Sequence, residues 1–268
     1  MKKLFELRGD LNEKTKFLIK IIGALSFIML WWLISEDGLN LVSKYILPSP
    51  VKVIMSVPEL HFRDALIRNL IYSLKLNLIG LSEAVVFAVP IGFIIGLFPI
   101  FKVMTDRYIS GFRYLPLPML IGLFIYWFGI GDWMKIQFLS VSIFLFLLPA
   151  VVQRVNDVEI VYDQTAITLG ASMWQRIKYI FIPAALPRIV TDIIILAALS
   201  WTYITIAEAV NMNGGGIGAL ANIAGRSSRT DKVFAVAIII ILTGFILDKV
   251  ATWLDSKIYK FKYTGKGR

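Results

Sequence analysis

Four ionisable side chains fall within or near the ends of long apolar runs: Lys75, Glu83, Asp192 and Glu208. Charge at such positions is costly and usually faces protein or water, so the chemistry on offer is a proton relay or a polar contact along a transport path. A relay needs partners at matched positions, and no pairing is evident in the sequence. Glu83 is the deepest of the four. Together with Glu208 it is a candidate contact on a translocation path; the alternative for Glu83 is a hydrogen-bonded group buried between helices. Lys75 and Glu208 fall near one interface and Asp192 near the other, where snorkelling or a helix-end role accounts for them.

Other chemistry has little material. There is one histidine, His61, and no cysteine, which removes disulfides, thiolate metal sites and cysteine nucleophiles. No G-x-x-x-x-G-K-[ST] phosphate loop occurs, so the chain cannot hold ATP in the usual P-loop manner. The cluster Gly214-Gly215-Gly216-Ile217-Gly218 is read as a turn before a short re-entrant or surface helix, not as a phosphate cradle. Neither an enzyme active site nor a resident metal or cofactor is expected.

The elements that must position these residues are membrane spans. Of 268 residues, 57% are hydrophobic and 17% charged, more apolar than a soluble core requires, and the mean hydropathy is +0.74. Apolar runs cover 17–34, 70–98, 114–130, 135–152, 189–210 and 233–254, each long enough to cross a hydrocarbon core of about 30 Å once. Six helical spans in an all-α polytopic chain are expected, as one transmembrane domain over 1–268. The first run lacks a small-x-small cleavage site before Ser35-Glu36-Asp37-Gly38, so it is read as a retained span and not a signal peptide.

The formal charge of +10 has the sign of a nucleic-acid binder, but its placement argues otherwise. Lys and Arg lie between the apolar runs, about 19 on the side of the termini against about 8 on the other, which places both termini in the cytoplasm. In the second run Ala84, Ala88, Gly92 and Gly96 recur every four residues, a row of small side chains along which another helix can approach closely. Pro90, in the same run, is expected to kink it. Trp31, Trp32, Trp127, Trp133, Trp201 and Trp253 fall mostly near span ends, where they anchor in the interface.

Residues 153–186, between the fourth and fifth runs, are too polar to span and too patterned for a slack loop. Ile160 to Leu169 can form a short helix that Gly170 ends by taking a left-handed conformation. Ser172 and Gln175 have the spacing of a capping box opening a second helix, with Ile177, Ile180 and Phe181 on its apolar face. Pro183 and Pro187 punctuate the return to the membrane. The alternative to a coupling device is an amphipathic helix resting on lipid through Arg176 and Lys178.

The string Gln164-Thr165-Ala166-Ile167-Thr168-Leu169-Gly170-Ala171-Ser172-Met173-Trp174-Gln175, continuing to Ile182-Pro183-Ala184-Ala185-Leu186-Pro187, resembles the EAA loop of bacterial ABC importer permeases. Ala166, Gly170 and Pro183 occupy matching places; Gln164 stands for the usual Glu and Thr165 for the first Ala. Whether Asp163, one position earlier, supplies the missing carboxylate is left open. Leu47-Pro48-Ser49-Pro50, Trp127-Phe128-Gly129-Ile130-Gly131, Glu208 and Arg229-Thr230-Asp231-Lys232-Val233-Phe234 are similar to the nitrate, sulfonate, taurine and bicarbonate branch. The resemblance implies a type I-like permease fold in a bacterial inner membrane and an importer for a small anion. Its partners would be cytoplasmic ATP-binding-cassette subunits that carry the ATP, an extracytoplasmic solute-binding protein, and a second permease chain in a homodimer. Gln164, Thr165, Ala166, Gly170, Ala171 and Pro183 would form the ATPase-coupling loop. A stand-alone secondary transporter is the competing class; it should show paired intramembrane charges and inverted repeats with broken helices, and neither is found.

Overall fold

The computed structural model describes residues 11–112 and 114–264. Lys2, Lys3, Arg8, Arg113, Lys266 and Arg268, which contribute to the orientation count, lie outside the described residues. All regular structure among the described residues is helical: α1 Glu13–Ile34, α2 Pro50–Phe62, α3 Leu66–Leu97, α4 Pro99–Phe112, α5 Ile121–Phe128, α6 Asp132–Asn156, α7 Ile160–Thr168, α8 Met173–Arg176, α9 Ile182–Val210, α10 Ile217–Arg226, α11 Thr230–Ile258 and α12 Phe261–Thr264.

Five helical stretches are long and apolar enough to cross a membrane: α1, α3, α6, Met173–Val210 and α11. The third expected run departs from a single span. Residues Leu117–Leu120 form a 3₁₀ turn and α5 continues for only eight residues. Pro118 withholds the donor that an α-helix from 114 would aim at the carbonyl of Tyr114, Pro116 turns Leu115 away from the helical region, and Gly129, at φ +76°, stops α5 at its other end. Even so, the chain must return across the same thickness. Gly80, Gly92 and Gly96 of α3 face Leu139, Val151 and Val155 of α6, so the two helices run parallel in a constant register. Residues 98–131 therefore carry the chain back over about 35 Å, in pieces and not as one rod.

The chain divides into two compact units, one of the described residues up to Ala65 with Asn222–Ala237, the other of Leu66–Ala221 with the described residues from Ile238 on. In the first unit, Ser49 caps α2 and Pro50 sits at its first turn, where a missing N–H costs nothing. Trp31 Nε1 donates to Pro48 O at 2.9 Å. Glu59 receives Arg229 at 2.8 Å and Lys232 at 3.0 Å, and Lys232 also reaches Asp64 at 2.6 Å. The hydrogen bond from Arg229, with that from Lys232, holds the Glu59 carboxyl down to about 2. A depressed carboxyl stabilises the fold above its unfolded value, and that contribution fades as pH falls toward 2.

In the second unit α6 is the central helix and the most buried span. Its Leu147, Val151 and Val155 pack with Ala88 of α3 and Ile189 of α9. The small-residue row on α3 is a close-packed seam, and Gly80 extends it by one step. A β-carbon at Gly80 would lie 2.4 Å from Leu139 Cδ2, and one at Gly92 would lie 2.5 Å from Val151 Cγ1. Val151 is β-branched and cannot swing aside cheaply. Gly92→Ala is therefore expected to destabilise the protein by about 1–3 kcal/mol through overpacking, read as a lower melting temperature in detergent; an unchanged melt would mean the seam is loose. Helix α3 continues unbroken through Pro90.

Candidate functional site

The segment between α6 and α9 is a stiff elbow made from local bonds. Helix α7 ends in a Schellman arrangement: Ala171 N donates to Ala166 O and Gly170 N to Ile167 O, both at 2.9 Å, with Gly170 at φ +78°. Helix α8 opens on the expected capping box, Ser172 N donating to Gln175 Oε1 at 2.7 Å and Gln175 N to Ser172 Oγ at 3.4 Å. Asp163 then locks the two helices together through a bidentate pair with Arg176, at 2.6 and 2.5 Å. That carboxylate is engaged within the elbow itself. Gln164 and Thr165 are exposed, and the Thr165 hydroxyl is turned back onto Val161 O at 2.8 Å.

The second helix of the elbow does not stop at the prolines. Ile177–Phe181 form a π-turn, in which Ile182 N donates to Ile177 O, and the helix runs on without a break through Pro183 and Pro187 into α9. Pro183 has no N–H to give, and the widened turn just before it removes the conflict between its ring and the preceding carbonyl. The expected punctuation is thus a π-turn inside one continuous helical stretch from Met173 to Val210. A load applied to α8 passes directly into a membrane span. At the base of the elbow Arg154, near the end of α6, forks onto Asp192 of α9 at 2.7 and 2.9 Å. Asp192 therefore acts as a cross-helix partner, not as a snorkelling group.

At its tip the elbow shows large apolar side chains. Leu169 is 81% exposed and Trp174 73%, on either side of Gly170 and Ala171. The sequence carried their signal in the form of two bulky residues flanking a helix stop.

At the far end of α6 a second polar cluster ties α3, α6 and α9 together. Glu208 is fully buried and accepts from Ser73 Oγ at 2.7 and 2.9 Å and from Gly218 N at 2.9 Å. It therefore does not snorkel. Lys135, also fully buried, donates to Asn213 O at 2.5 Å, Gly215 O at 3.3 Å and Tyr72 OH at 3.2 Å. The Tyr72 hydroxyl donates in turn to Asp132. Gly214, Gly215 and Gly216 all have positive φ, and a β-carbon at Gly216 would lie 2.2 Å from Glu208 Cδ. The amides of Gly216 and of the following Ile217 are committed inward, to Asn69 Oδ1 and Ser73 Oγ, both at 2.8 Å. The glycine run is a turn leading into α10, as its composition suggests. Glu83 lies elsewhere on α3, half-buried, and accepts from Gln137 Nε2 of α6 at 2.9 Å on both oxygens. The structure does not bring Glu83, Glu208 and the elbow residues into one site. Lys135 was missed because its main acceptors lie 78 and 80 residues further along the chain.

Three comparisons bear on this arrangement. Residues 88–260 match the family described as binding-protein-dependent transport system inner membrane component. The chain is 30% identical to the taurine transport system permease protein TauC of Escherichia coli (strain K12), over 85% of this chain and 84% of that one. It is 27% identical to the putative aliphatic sulfonates transport permease protein SsuC of Bacillus subtilis (strain 168), over 90% of this chain and 86% of that one. Among solved structures, a chain of the inward-facing MetNI methionine ABC transporter superposes with a TM-score of 0.63 at 18% identity, covering 72% of this chain and 95% of that one, a likeness of fold.

Proposed function

The chain belongs to the binding-protein-dependent transport system inner membrane component family, and from that premise we propose that it is the permease half of an ATP-driven importer for small sulfonates. It is a multi-pass membrane protein and not an enzyme. What carries the reading is the elbow: a clasped pair of short helices with an apolar tip, continuous with α9, which Arg154 of α6 in turn holds through Asp192. ATPase subunits on the cytoplasmic side grip Leu169, Trp174 and the small residues between them. Their closure on ATP moves the elbow as a rigid body, and α6 and α9 move with it. The far-end cluster keeps α3, α6 and α9 in step during that motion.

Two copies of the chain enclose the passage, since one copy provides only half of it. A solute-binding protein delivers cargo on the outer side, and both termini lie in the cytoplasm. The sulfonate assignment is supported by the names of the taurine and aliphatic sulfonate relatives. The test is uptake into vesicles holding the permease, its ATPase and its binding protein. Taurine or ethanesulfonate uptake that requires ATP supports the proposal. Uptake driven by a proton gradient without ATP would instead establish a secondary transporter.

A further inference from the structure

We propose that a cavity between α3, α9 and α11 is a cargo site that recognises a zwitterionic aminosulfonate by both of its ends. The cavity, of about 270 Å³, is lined by Asn77, Ala197, Trp201, Gly244 and Asp248, and it opens onto a neighbouring space of about 410 Å³ that shares Trp201, Gly244 and Asp248. This assignment rests on the importer reading above.

One observation points to a ligand, and two features of the lining fit this cargo. Asn77 is 3% exposed; its Oδ1 accepts from Ser200 Oγ at 2.9 Å, while its Nδ2 has no partner. A buried amide donor left unpaired costs on the order of 1–3 kcal/mol, and a sulfonate oxygen is a good acceptor for it. Asp248, an exposed residue, lies at the rim of the cavity, and among the described residues no cation lies within ion-pair range of its carboxylate. A bare carboxylate in this place repels a simple alkanesulfonate and attracts an ammonium group. Finally, Gly244 stands in the interior of α11, where glycine costs about 1 kcal/mol relative to alanine, yet a β-carbon there would meet nothing within 4 Å. Its small size makes no room for any part of this chain. It borders the open side of the cavity, with Asp248 one turn away on the same helix face. The apolar walls, Trp201 foremost, suit the carbon stem between an ammonium and a sulfonate.

The test uses the complete transporter in vesicles. Gly244→Leu carries its side chain into the cavity from a β-carbon that meets nothing within 4 Å; with assembly of the complex checked by gel filtration, taurine uptake should fall at least about tenfold. The chain has no native cysteine, so Gly244→Cys reports directly on occupancy. Saturating taurine should slow its modification by a small thiol reagent several-fold, ethanesulfonate should do so less, and Asp248→Asn should abolish the difference between the two. Equal taurine uptake by wild type and Gly244→Leu, or modification of Gly244→Cys unaffected by taurine, would overturn the site and leave the importer standing. A wild-type complex that takes up neither compound would overturn the sulfonate reading and this site with it.

Discussion

Replacing Gly170 with valine is expected to cut ATP-driven uptake at least about tenfold while leaving the protein in the membrane and ATP hydrolysis running. The reason is conformational. Gly170 sits at φ +78°, and a β-carbon added there meets nothing within 4 Å. What valine meets is its own backbone: a left-handed conformation costs an L-residue about 1–2 kcal/mol, and more when it is β-branched. The stop of α7 is released by relaxing that φ, which breaks the bonds from Ala171 N to Ala166 O and from Gly170 N to Ile167 O. Leu169 and Trp174 then lose their fixed spacing, and the ATPase closes on an elbow that no longer transmits its motion. Gly170→Asn separates shape from surface, because asparagine tolerates the left-handed region while still adding a side chain. It should retain most uptake. The readout is the ratio of transport to ATP hydrolysis in the same vesicles, and a normal ratio for Gly170→Val would remove the elbow from the mechanism.

Lys135→Met is expected to destabilise the protein by about 3–5 kcal/mol, the usual cost of breaking a buried charge network from one side. Methionine replaces the stem of the lysine but not its donors. The carbonyls of Asn213 and Gly215 and the hydroxyl of Tyr72 would lose their shared ammonium, and the nearby carboxylates of Asp132 and Glu208 would lose their counter-charge. Melting in detergent should drop by roughly 10 °C. Lys135→Arg should not restore it, because a guanidinium is too broad for a site with no exposed surface. A melt unchanged in Lys135→Met would show that the turn at Gly214–Gly216 holds α3, α6 and α9 without the lysine.

How far the sequence anticipates this molecule depends on the range of the interactions involved. The elbow was legible because its determinants are local: Gly170 and Ala171 close α7, and Ser172 with Gln175 opens α8, all within a few residues of one another. Five crossings were legible from apolar length alone. The third run was legible in the same way, but not its break into a 3₁₀ turn and a short helix, because composition counts Pro116 and Pro118 as tolerable while backbone geometry does not. Pro183 misled in the opposite direction; a proline is a helix breaker until a π-turn makes room for it, and nothing in the local sequence announces the π-turn. Asp163, left open between two roles, pairs with Arg176, thirteen positions away across the elbow. Glu208 and Lys135 were legible only as charges, since their partners come together through the parallel packing of α3 on α6 and the return of α9.

The most direct test of the central claim is cysteine cross-linking at the elbow tip in membranes that contain the whole transporter. The natural absence of cysteine leaves Leu169→Cys and Trp174→Cys as the sole thiols on this chain. If the elbow is the seat of the ATPase, both should form an adduct with an ATPase subunit bearing a cysteine on its membrane-facing side, and ATP should change the yield. An elbow that reacts freely with a soluble thiol reagent but never captures the ATPase, in a complex that still transports, would contradict it.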